Sequence, residues 1–409
     1  MKKLRILEVQ ETNWLDRNVI QPHHILERLV ERGHSVQIID YDILWPQRQD
    51  RSLMEGRKLF PSVNRVIPGV TIPVIRPSTI HLPLLCHLSW TMNSLRELQR
   101  LLDTFQPDVV IGYSLTNSYF MALLVQSRGV PFVSMVLEPY HTMVPQQWAK
   151  SVAKLMEKKA EQTADRVFVF TPKMSEYIEG MGVRKERITI FRTGVSPKIF
   201  SVGVNGQDKR ADLGIKEDDW VLFFMGWLYD FSGLKEIVQT VMSDPSILED
   251  KRLLIVGDGD LYEELCRLVE QYGLSQRVIL TGRVPFADIP ALLATADVCL
   301  LPSQENDITR DIVPMKVYEY LAAGRPVVAS SLPGLVTEFG EDNGILYGAG
   351  SLDVFAKALA MSEQQEFAHA LAAKGREFAE KNANWEETAD HFEEVLLFLS
   401  NGVPPLPLV

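Results

Sequence analysis

The run Asp311-Ile312-Val313-Pro314-Met315-Lys316-Val317-Tyr318-Glu319-Tyr320-Leu321-Ala322-Ala323-Gly324-Arg325-Pro326-Val327-Val328 carries a helix, its stop and the following strand in one stretch. Pro314 suits the first helical turn, where its missing N–H would go unpaired anyway. Gly324 followed by Pro326 suits the helix end. Met315, Tyr318, Leu321 and Ala322 form the stripe expected to be buried, and Lys316, Glu319 and Ala323 share a different face. The free N–H groups at such a helix start suit a diphosphate. Asp311, just ahead of the helix, is placed to accept hydrogen bonds from sugar hydroxyls, and Glu319 to accept two from a ribose diol. Read locally, a surface helix with a Lys316–Glu319 pair and a helix-start aspartate accounts for the same residues.

The same rhythm extends outward in both directions. Short β-branched runs near 4–9, 36–39, 109–111, 132–136, 167–170 and 188–191 predict strands in the first half. Runs near 220–225, 253–256, 278–280, 298–301, 327–329 and 345–347 predict them in the second. Helical patterns lie between, at 24–32, 174–181, 261–272, 289–294 and 315–323. This alternation predicts an α/β protein with parallel sheets covered on both faces. So many strands suit two sheets better than one. The pattern breaks at 193–207, through Pro197 and Gly203-Val204-Asn205-Gly206, and restarts at Trp220. Two doubly wound, Rossmann-like domains facing across a cleft are expected, with ligands outside the carboxyl ends of the strands. Residues 42–105 do not follow the alternation. Within them, 80–90 is apolar but too short to span a bilayer. The tail from Pro404 to Val409 reads as frayed.

Composition narrows the function. Of 409 residues, 46% are hydrophobic and 23% charged, enough for real cores and no case for disorder. The net charge of −11 argues against a general nucleic-acid binder, which needs a basic footprint. Cys86, Cys266 and Cys299 suggest neither a disulfide framework nor a Cys-rich zinc site, so a cytoplasmic setting is expected. The start, Met1-Lys2-Lys3-Leu4-Arg5, is followed by alternation, and neither a signal peptide nor a membrane-spanning helix is expected.

Residues 311–328 resemble the signature of the retaining GT-B glycosyltransferases of family four (glycosyl transferases group 1), typically Glu-x7-Glu and then Ala-x-Gly-x-Pro-Val-Val, often with Pro-x-Lys before the second Glu. Gly33-His34-Ser35-Val36, Thr193-Gly194-Val195-Ser196-Pro197 with Phe200, Val256-Gly257-Asp258-Gly259, Leu280-Thr281-Gly282 and Ala296-Asp297-Val298 resemble other family segments in their usual order. Trp385 resembles the start of the final helix that crosses back to the N-terminal domain. The resemblance implies an acceptor-binding domain at 1–195, completed by a helix at about 386–400, and a nucleotide-sugar-binding domain at 205–385.

It also implies roles residue by residue. Glu319 would hold the ribose and Asp311 the donor sugar. Backbone amides of Ile312 and Val313 would hold the diphosphate. The turn Gly282-Arg283-Val284 would frame the base, with Gly226 and Gly257 giving close backbone approach at strand ends. An ordinary turn glycine is the plain alternative for Gly257. Three departures stand out. Asp311 is one methylene shorter than the usual Glu. Trp227 and Ser232 replace the usual Arg and Lys on the diphosphate, so another cation must answer the charge of the leaving group. Lys316 is the first candidate, followed by Arg310 and Lys235. The first loop reads Thr12-Asn13-Trp14-Leu15-Asp16-Arg17-Asn18 where Gly-Gly is usual, which offers the donor the Arg17 side chain instead. The family's loop histidine is out of register here, and His141 or Glu138 is placed to approach the sugar or the acceptor. His23 and His24 read as helix-head or core contacts.

The implied reaction is transfer of a sugar with retention from a nucleotide-diphosphate sugar, with no cofactor and no metal. Asp258-Gly259-Asp260 reads as a helix start rather than a metal pair. The acceptor is left open as a sugar, a lipid or a small molecule. The segment 147–159 is basic on one side, with Trp148, Val152, Leu155 and Met156 on another. Together with 80–90 it offers peripheral contact with an anionic membrane surface. The plainer reading turns that apolar stripe toward the domain core. The alternative function is a weak or inactive GT-B protein that binds a nucleotide or sugar. An epimerase or phosphorylase on the same fold fits the donor signature less well.

Overall fold

The computed structural model describes residues 2–43, 45, 52–83, 85–144, 147–196 and 198–402. Leu84, Pro197 and residues 404–409, all used in the reading above, lie outside them, as does the side chain of Trp148. The chain divides into two compact units, Met1–Arg192 with Glu386–Val409, and Thr193–Trp385.

The first unit runs β1 (Arg5–Gln10), α1 (Gln21–Glu31), β2 (Ser35–Ile39), β3 (Met54–Glu55), β4 (Lys58–Val63), β5 (Ile72–Arg76), β6 (Thr79–Ile80), α2 (Leu85–Thr104), β7 (Val109–Tyr113), α3 (Ser118–Gln126), β8 (Phe132–Val136), α4 (Gln147–Thr163), β9 (Arg166–Val169), α5 (Pro172–Gly180) and β10 (Ile188–Ile190). Its main sheet has the order β10-β9-β8-β7-β1-β2-β5-β4 and is parallel except at the β4 edge. The second unit runs α6 (Gln207–Asp212), β11 (Trp220–Met225), α7 (Leu234–Ser243), β12 (Lys251–Val256), α8 (Tyr262–Gln271), β13 (Val278–Leu280), α9 (Ile289–Leu293), β14 (Val298–Leu301), α10 (Met315–Ala322), β15 (Val327–Ser330), α11 (Pro333–Phe339), β16 (Ile345–Gly348), α12 (Ser351–Ala360) and α13 (Gln365–Asn382). Its sheet is wholly parallel, β13-β12-β11-β14-β15-β16. α14 (Trp385–Ser400) returns the chain to the first unit.

These strands are apolar on both sides because helices cover both faces. In β11, Phe223 and Met225 join one buried cluster, and Leu222 and Phe224 the other. Each sheet reverses its order at a central strand, β1 in the first and β11 in the second. The chain diverges to opposite faces there and leaves a crevice at the carboxyl edge, where α/β sheets bind ligands.

The structure corrects two expectations in the first unit. The stretch 80–90 is not one apolar run: it ends β6, which pairs with β3, and then enters the 20-residue helix α2. The apolar stripe of α4 does not face the core. Val152 is 55% exposed and Leu155 58%, and Ala153, Glu157, Ala160 and Glu161 turn inward instead. The two carboxyl groups fix that rotation, because buried groups of the sheet and the next loop bond to them. Ser134 donates to Glu161, and Tyr140, His141 and Tyr177 bond to Glu157.

Candidate active site

The carboxyl edge of the second sheet is built around Lys316 and Glu319. α10 begins at Met315, and Pro314 is its extended N-cap (ψ 135°) rather than part of its first turn. A fixed φ near −68° serves the cap as well as it would serve the helix. The helix ends at Gly324 (φ 66°), whose N–H donates to Leu321 while that of Arg325 donates to Tyr320, at 2.9 and 3.0 Å. The buried face is wider than the expected stripe. Val317 and Tyr320 are fully buried, whereas Met315 is only half-buried. The Tyr320 hydroxyl accepts the Met225 N–H at 2.9 Å, which ties α10 to the end of β11.

Gly226 follows β11 with φ 132°, a conformation that favours glycine. A Cβ there would lie 2.6 Å from Lys316 Nζ. Gly226 therefore leaves the passage through which Lys316 crosses the strand end, to rest 4.1 Å from the Phe224 ring centre. Glu319, one turn on, is 8% exposed. Among the described residues, neither its carboxylate nor the Lys316 ammonium makes a hydrogen bond or an ion pair. The Lys316–Glu319 surface pair of the local reading is thus not formed. Burial pushes Lys316 down to about 7 and Glu319 up to about 7, and the attraction between them opposes both shifts. Buried charges are normally paired, so this arrangement suits an outside partner with hydroxyls and negative charge.

Around them, the amides of Ile312 and Val313 carry no hydrogen bond among the described residues. Asp311 is exposed, and its backbone packs against Gly334, where a Cβ would lie 2.7 Å from the Asp311 carbonyl carbon. Gly257 N–H donates to the Gly282 carbonyl at 3.0 Å. A Cβ on Gly257 would meet the Gly226 carbonyl oxygen at 2.0 Å. That glycine is required by the crossing of two strand ends. The Arg283 guanidinium lies 6.0 Å from the Trp227 ring centre, and Val284 packs on the core. Ser232 is buried, and its hydroxyl finds no partner among the described residues. Lys235 pairs with Glu264 at 2.7 Å, and exposed Arg310 with Glu305 at 3.7 Å. Asp258 accepts the N–H of Gly259 and does not cap α8, which starts at Tyr262. Among the described residues no cluster of His, Cys, Asp and Glu has the geometry of a metal site.

The carboxyl edge of the first sheet brings Arg17, Glu138 and His141 together on the loops after β1 and β8. A buried network fixes the first loop. Arg76 Nε donates to Asp40 at 2.9 Å and its Nη2 to Asn13 at 3.1 Å, and Asn13 donates to Asp42 and Asp16. Arg17 donates to the Thr12 hydroxyl at 2.8 Å. Burial raises the Glu138 carboxyl above its ordinary range, and the charge of Arg17 offsets part of that. His141 Nδ1 lies 2.9 Å from Glu157 Oε2 and 3.0 Å from the Tyr177 hydroxyl. The Tyr177 hydroxyl donates to Glu157 Oε1 at 3.1 Å. A carboxylate only accepts, so Nδ1 carries the proton. Nε2 is left as the ring's acceptor, with no partner among the described residues. His23 is a helix-head contact: Nδ1 accepts the Ile20 N–H, and the ring stacks on Trp14 at 4.0 Å.

Comparison with known proteins fits this geometry. The family described as glycosyl transferases group 1 matches residues 220–362, and the glycosyl transferase 4-like domain matches residues 20–194. The chain belongs to the group 1 glycosyltransferases of the GT-B fold. It is similar to an uncharacterized glycosyltransferase of Methanocaldococcus jannaschii, 23% identical over 76% of each chain. A GDP-mannose-dependent alpha-(1-6)-phosphatidylinositol monomannoside mannosyltransferase of Mycobacterium tuberculosis is 30% identical over 37% of this chain and 41% of its own. Among solved structures, Anabaena HepE in complex with UDP-glucose is 17% identical, with a TM-score of 0.71 over 96% of this chain and 99% of its own.

In this glycosyltransferase, several groups at the two edges escaped the sequence reading. Glu157 and Tyr177 reach His141 from α4 and α5, at separations that carry no local signal. Gly334 packs on Asp311 from a separate element, a contact with no local signal. The hydroxyl of Tyr320 points to β11, a contact that helical periodicity does not reveal.

Proposed function

We propose that this glycosyltransferase transfers a sugar with retention from a nucleotide-diphosphate sugar to a hydroxyl acceptor, without a metal ion. The observation that carries the reading is Lys316 beside buried Glu319 at the carboxyl edge of the second sheet, neither with a hydrogen bond or ion pair among the described residues. Glu319 accepts the ribose hydroxyls. Lys316 and the free amides of Ile312 and Val313 take the diphosphate, and Asp311 takes hydroxyls of the donor sugar. Gly282, Arg283 and Val284 frame the base, and Gly226 and Gly257 keep the strand ends low beneath the nucleotide. The bond from the anomeric carbon to the phosphate oxygen breaks, and the acceptor oxygen attacks from the same face. The acceptor proton passes to the departing phosphate oxygen. Negative charge grows on the diphosphate in this step, and a preorganised cation is worth most there. Lys316 supplies that cation in place of the Arg and Lys replaced by Trp227 and Ser232, and Arg283 adds a second positive charge beside Trp227. Arg17, Glu138 and His141 serve the sugar and acceptor side.

Trp227 and Ser232 favour a second reading, a protein that binds nucleotide and turns over poorly. Calorimetric titration with UDP, GDP, ADP and their sugar conjugates, with and without EDTA, decides between them when followed by a turnover assay. Micromolar, EDTA-insensitive binding of one nucleotide is expected. Glu319→Ala should weaken it about 10- to 100-fold, the worth of hydrogen bonds to a charged group. Arg310→Ala should leave it nearly unchanged. Binding with no sugar release to water or acceptor supports the second reading. Wild-type affinity and rate in both Glu319→Ala and Lys316→Met removes the site assignment.

A further inference from the structure

The carboxyl edge of the second sheet has another hollow besides the one at Lys316 and Glu319. It measures about 270 Å3 and is lined from the segments 303–305, 330–332 and 349–351. These are the segments where β14, β15 and β16 end, and α/β sheets take ligands beyond such ends. The two hollows belong to different helices on opposite faces of the sheet. Val317 and Leu321 of α10 join one buried cluster, and Val354 and Phe355 of α12 join the other. Lys316 and Glu319 are presented by α10, whereas the second hollow lies at the start of α12.

Its lining offers hydrogen-bond donors that lack acceptors. The N-cap of α12 is Gly350, which has no side chain to cap with. The amides of Gly350, Ser351 and Leu352 make no hydrogen bond among the described residues. A helix start with free amides is the positive end of the helix dipole. A buried hydroxyl faces the same place. Ser330 is 3% exposed, and its hydroxyl has no partner among the described residues. Strand alternation sets its direction: Val328 lies in the cluster of Val354 and Phe355, so Ser330, two residues on, also points toward α12. Opposite Ser330 on β16 is Gly348, and a Cβ there would lie 2.9 Å from the Val354 nitrogen. Glycine thus lets the start of α12 approach the strand ends. The carboxylates nearby are already engaged. Asp353 accepts the Ala349 N–H at 2.8 Å and the Lys357 ammonium at 2.9 Å, Glu305 pairs with Arg310 at 3.7 Å, and Glu236 accepts from the Gln304 amide.

Free amides at a helix start, with an unpartnered hydroxyl among them, match an oxyanion. A phosphoryl group brings three acceptor oxygens and negative charge. A neutral sugar needs acceptors as well as donors, and the carboxylates here are taken. The hollow is also joined to the donor site through the chain. The Gln304 N–H donates to the Phe231 carbonyl at 2.8 Å, the Thr309 hydroxyl to the Gln304 carbonyl at 2.6 Å, and the Arg310 N–H to the Asn306 carbonyl at 3.0 Å. Asp311, Ile312 and Val313 follow directly. From the wall at 330–332, the chain reaches Gly334, whose N–H donates to the Arg310 carbonyl at 2.8 Å. Two walls of the hollow therefore end on the segment that carries Asp311. We propose that the hollow at the start of α12 is a second anion subsite that takes a phosphoryl group, and that its occupancy steadies the segment 311–313. The subsite stands on its own lining; its effect on the donor rests on the transferase reading above.

The experiment is phosphorus NMR of inorganic phosphate and of a hexose monophosphate, titrated with the full chain and with Gly350→Asp, Ser330→Ala and Lys316→Met. Gly350 is extended (φ 175°) and a Cβ there meets nothing within 4 Å, so aspartate fits and caps the helix. Unfolding midpoints check that each variant is folded. Line broadening by the full chain is expected. Gly350→Asp should weaken binding at least about tenfold, because its carboxylate takes the amides and repels the anion. Ser330→Ala should weaken it about tenfold, the worth of one hydrogen bond to a charged group. Lys316→Met should leave it unchanged. Whichever probe binds more tightly tells whether the group arrives free or on an organic carrier. Nucleotide affinity should rise about fivefold when the subsite is filled, and not in Gly350→Asp. No broadening, binding that survives Gly350→Asp, binding lost in Lys316→Met, or a neutral hexose that binds as tightly as phosphate overturns the subsite. Phosphate binding without any change in nucleotide affinity overturns the link to the segment 311–313. Phosphate binding that Gly350→Asp removes, in a chain that binds no nucleotide, leaves the subsite standing and overturns the transferase reading instead.

Discussion

Each half of this glycosyltransferase holds charged side chains beside its sheet edge, and the Arg76 and Lys316 sites treat them oppositely. In the first unit, Arg76 and Asp40 are as deeply buried as any apolar residue, and their hydrogen bonds are made within the protein. In the second, buried Glu319 and partly exposed Lys316 make no hydrogen bond or ion pair among the described residues, and Lys316 rests on the Phe224 ring. A saturated network holds a loop in place. An unsaturated pair carries the cost of desolvation without the return, and that cost is recovered when a ligand arrives.

The comparison breaks most sharply at Arg76. Arg76→Ala strands two buried carboxylates and should cost about 3–5 kcal/mol. Denaturant unfolding checks this, and a loss near zero would mean that the network is not what holds the loop. Lys316→Met should do the reverse. It removes a desolvated ammonium that has no ion pair among the described residues, so the unfolding midpoint should hold or rise, while turnover falls about 100- to 1000-fold, as when one charge-stabilising group is removed. A stability loss as large as that of Arg76→Ala would erase the distinction between the two sites.

A smaller effect sharpens the second site. Burial holds Lys316 near 7, so it is charged below that pH and neutral above it. A diphosphate prefers the charged form. Affinity for the nucleoside diphosphate should therefore fall as pH rises past about 7, by no more than about tenfold per unit. The Lys316→Met variant should lack the Lys316 part of this slope, and subtracting its profile removes the ionisation of the ligand and most of that of Glu319. Identical pH profiles in both proteins would show that Lys316 does not titrate against the ligand.

The smallest expected effect is at Glu157. Glu157→Gln keeps the shape of the residue but can no longer hold His141 through a carboxylate. Turnover should fall about tenfold, the lower range for a misplaced acid–base group, with nucleotide affinity unchanged. If only stability changes, Glu157 is a packing residue and His141 does not depend on it.

The sequence was most legible where local patterns carry physical meaning. The twelve strand positions were readable because strands covered on both faces are short apolar runs between glycines and helices. Lys316 and Glu319 were readable as neighbours because a helix brings residues three apart onto one face. Gly226 and Gly257 were readable as special, but their reasons were not. One makes room for Lys316 and the other for the Gly226 carbonyl, and both are contacts between separate strand ends. The face that α4 turns inward was misread, because its apolar pattern competes with two carboxylates whose partners lie on other elements.

The sequence by itself determined the two α/β units, the helix that presents Lys316 and Glu319, and the family. All of these rest on periodicity, turn chemistry and ordered motifs, which are properties of neighbours along the chain. Only the tertiary structure decided that Lys316 and Glu319 make no hydrogen bond or ion pair among the described residues, and that Glu157 and Tyr177 orient His141. Desolvation and hydrogen bonding depend on every group packed around an atom, and those groups come from distant parts of the chain.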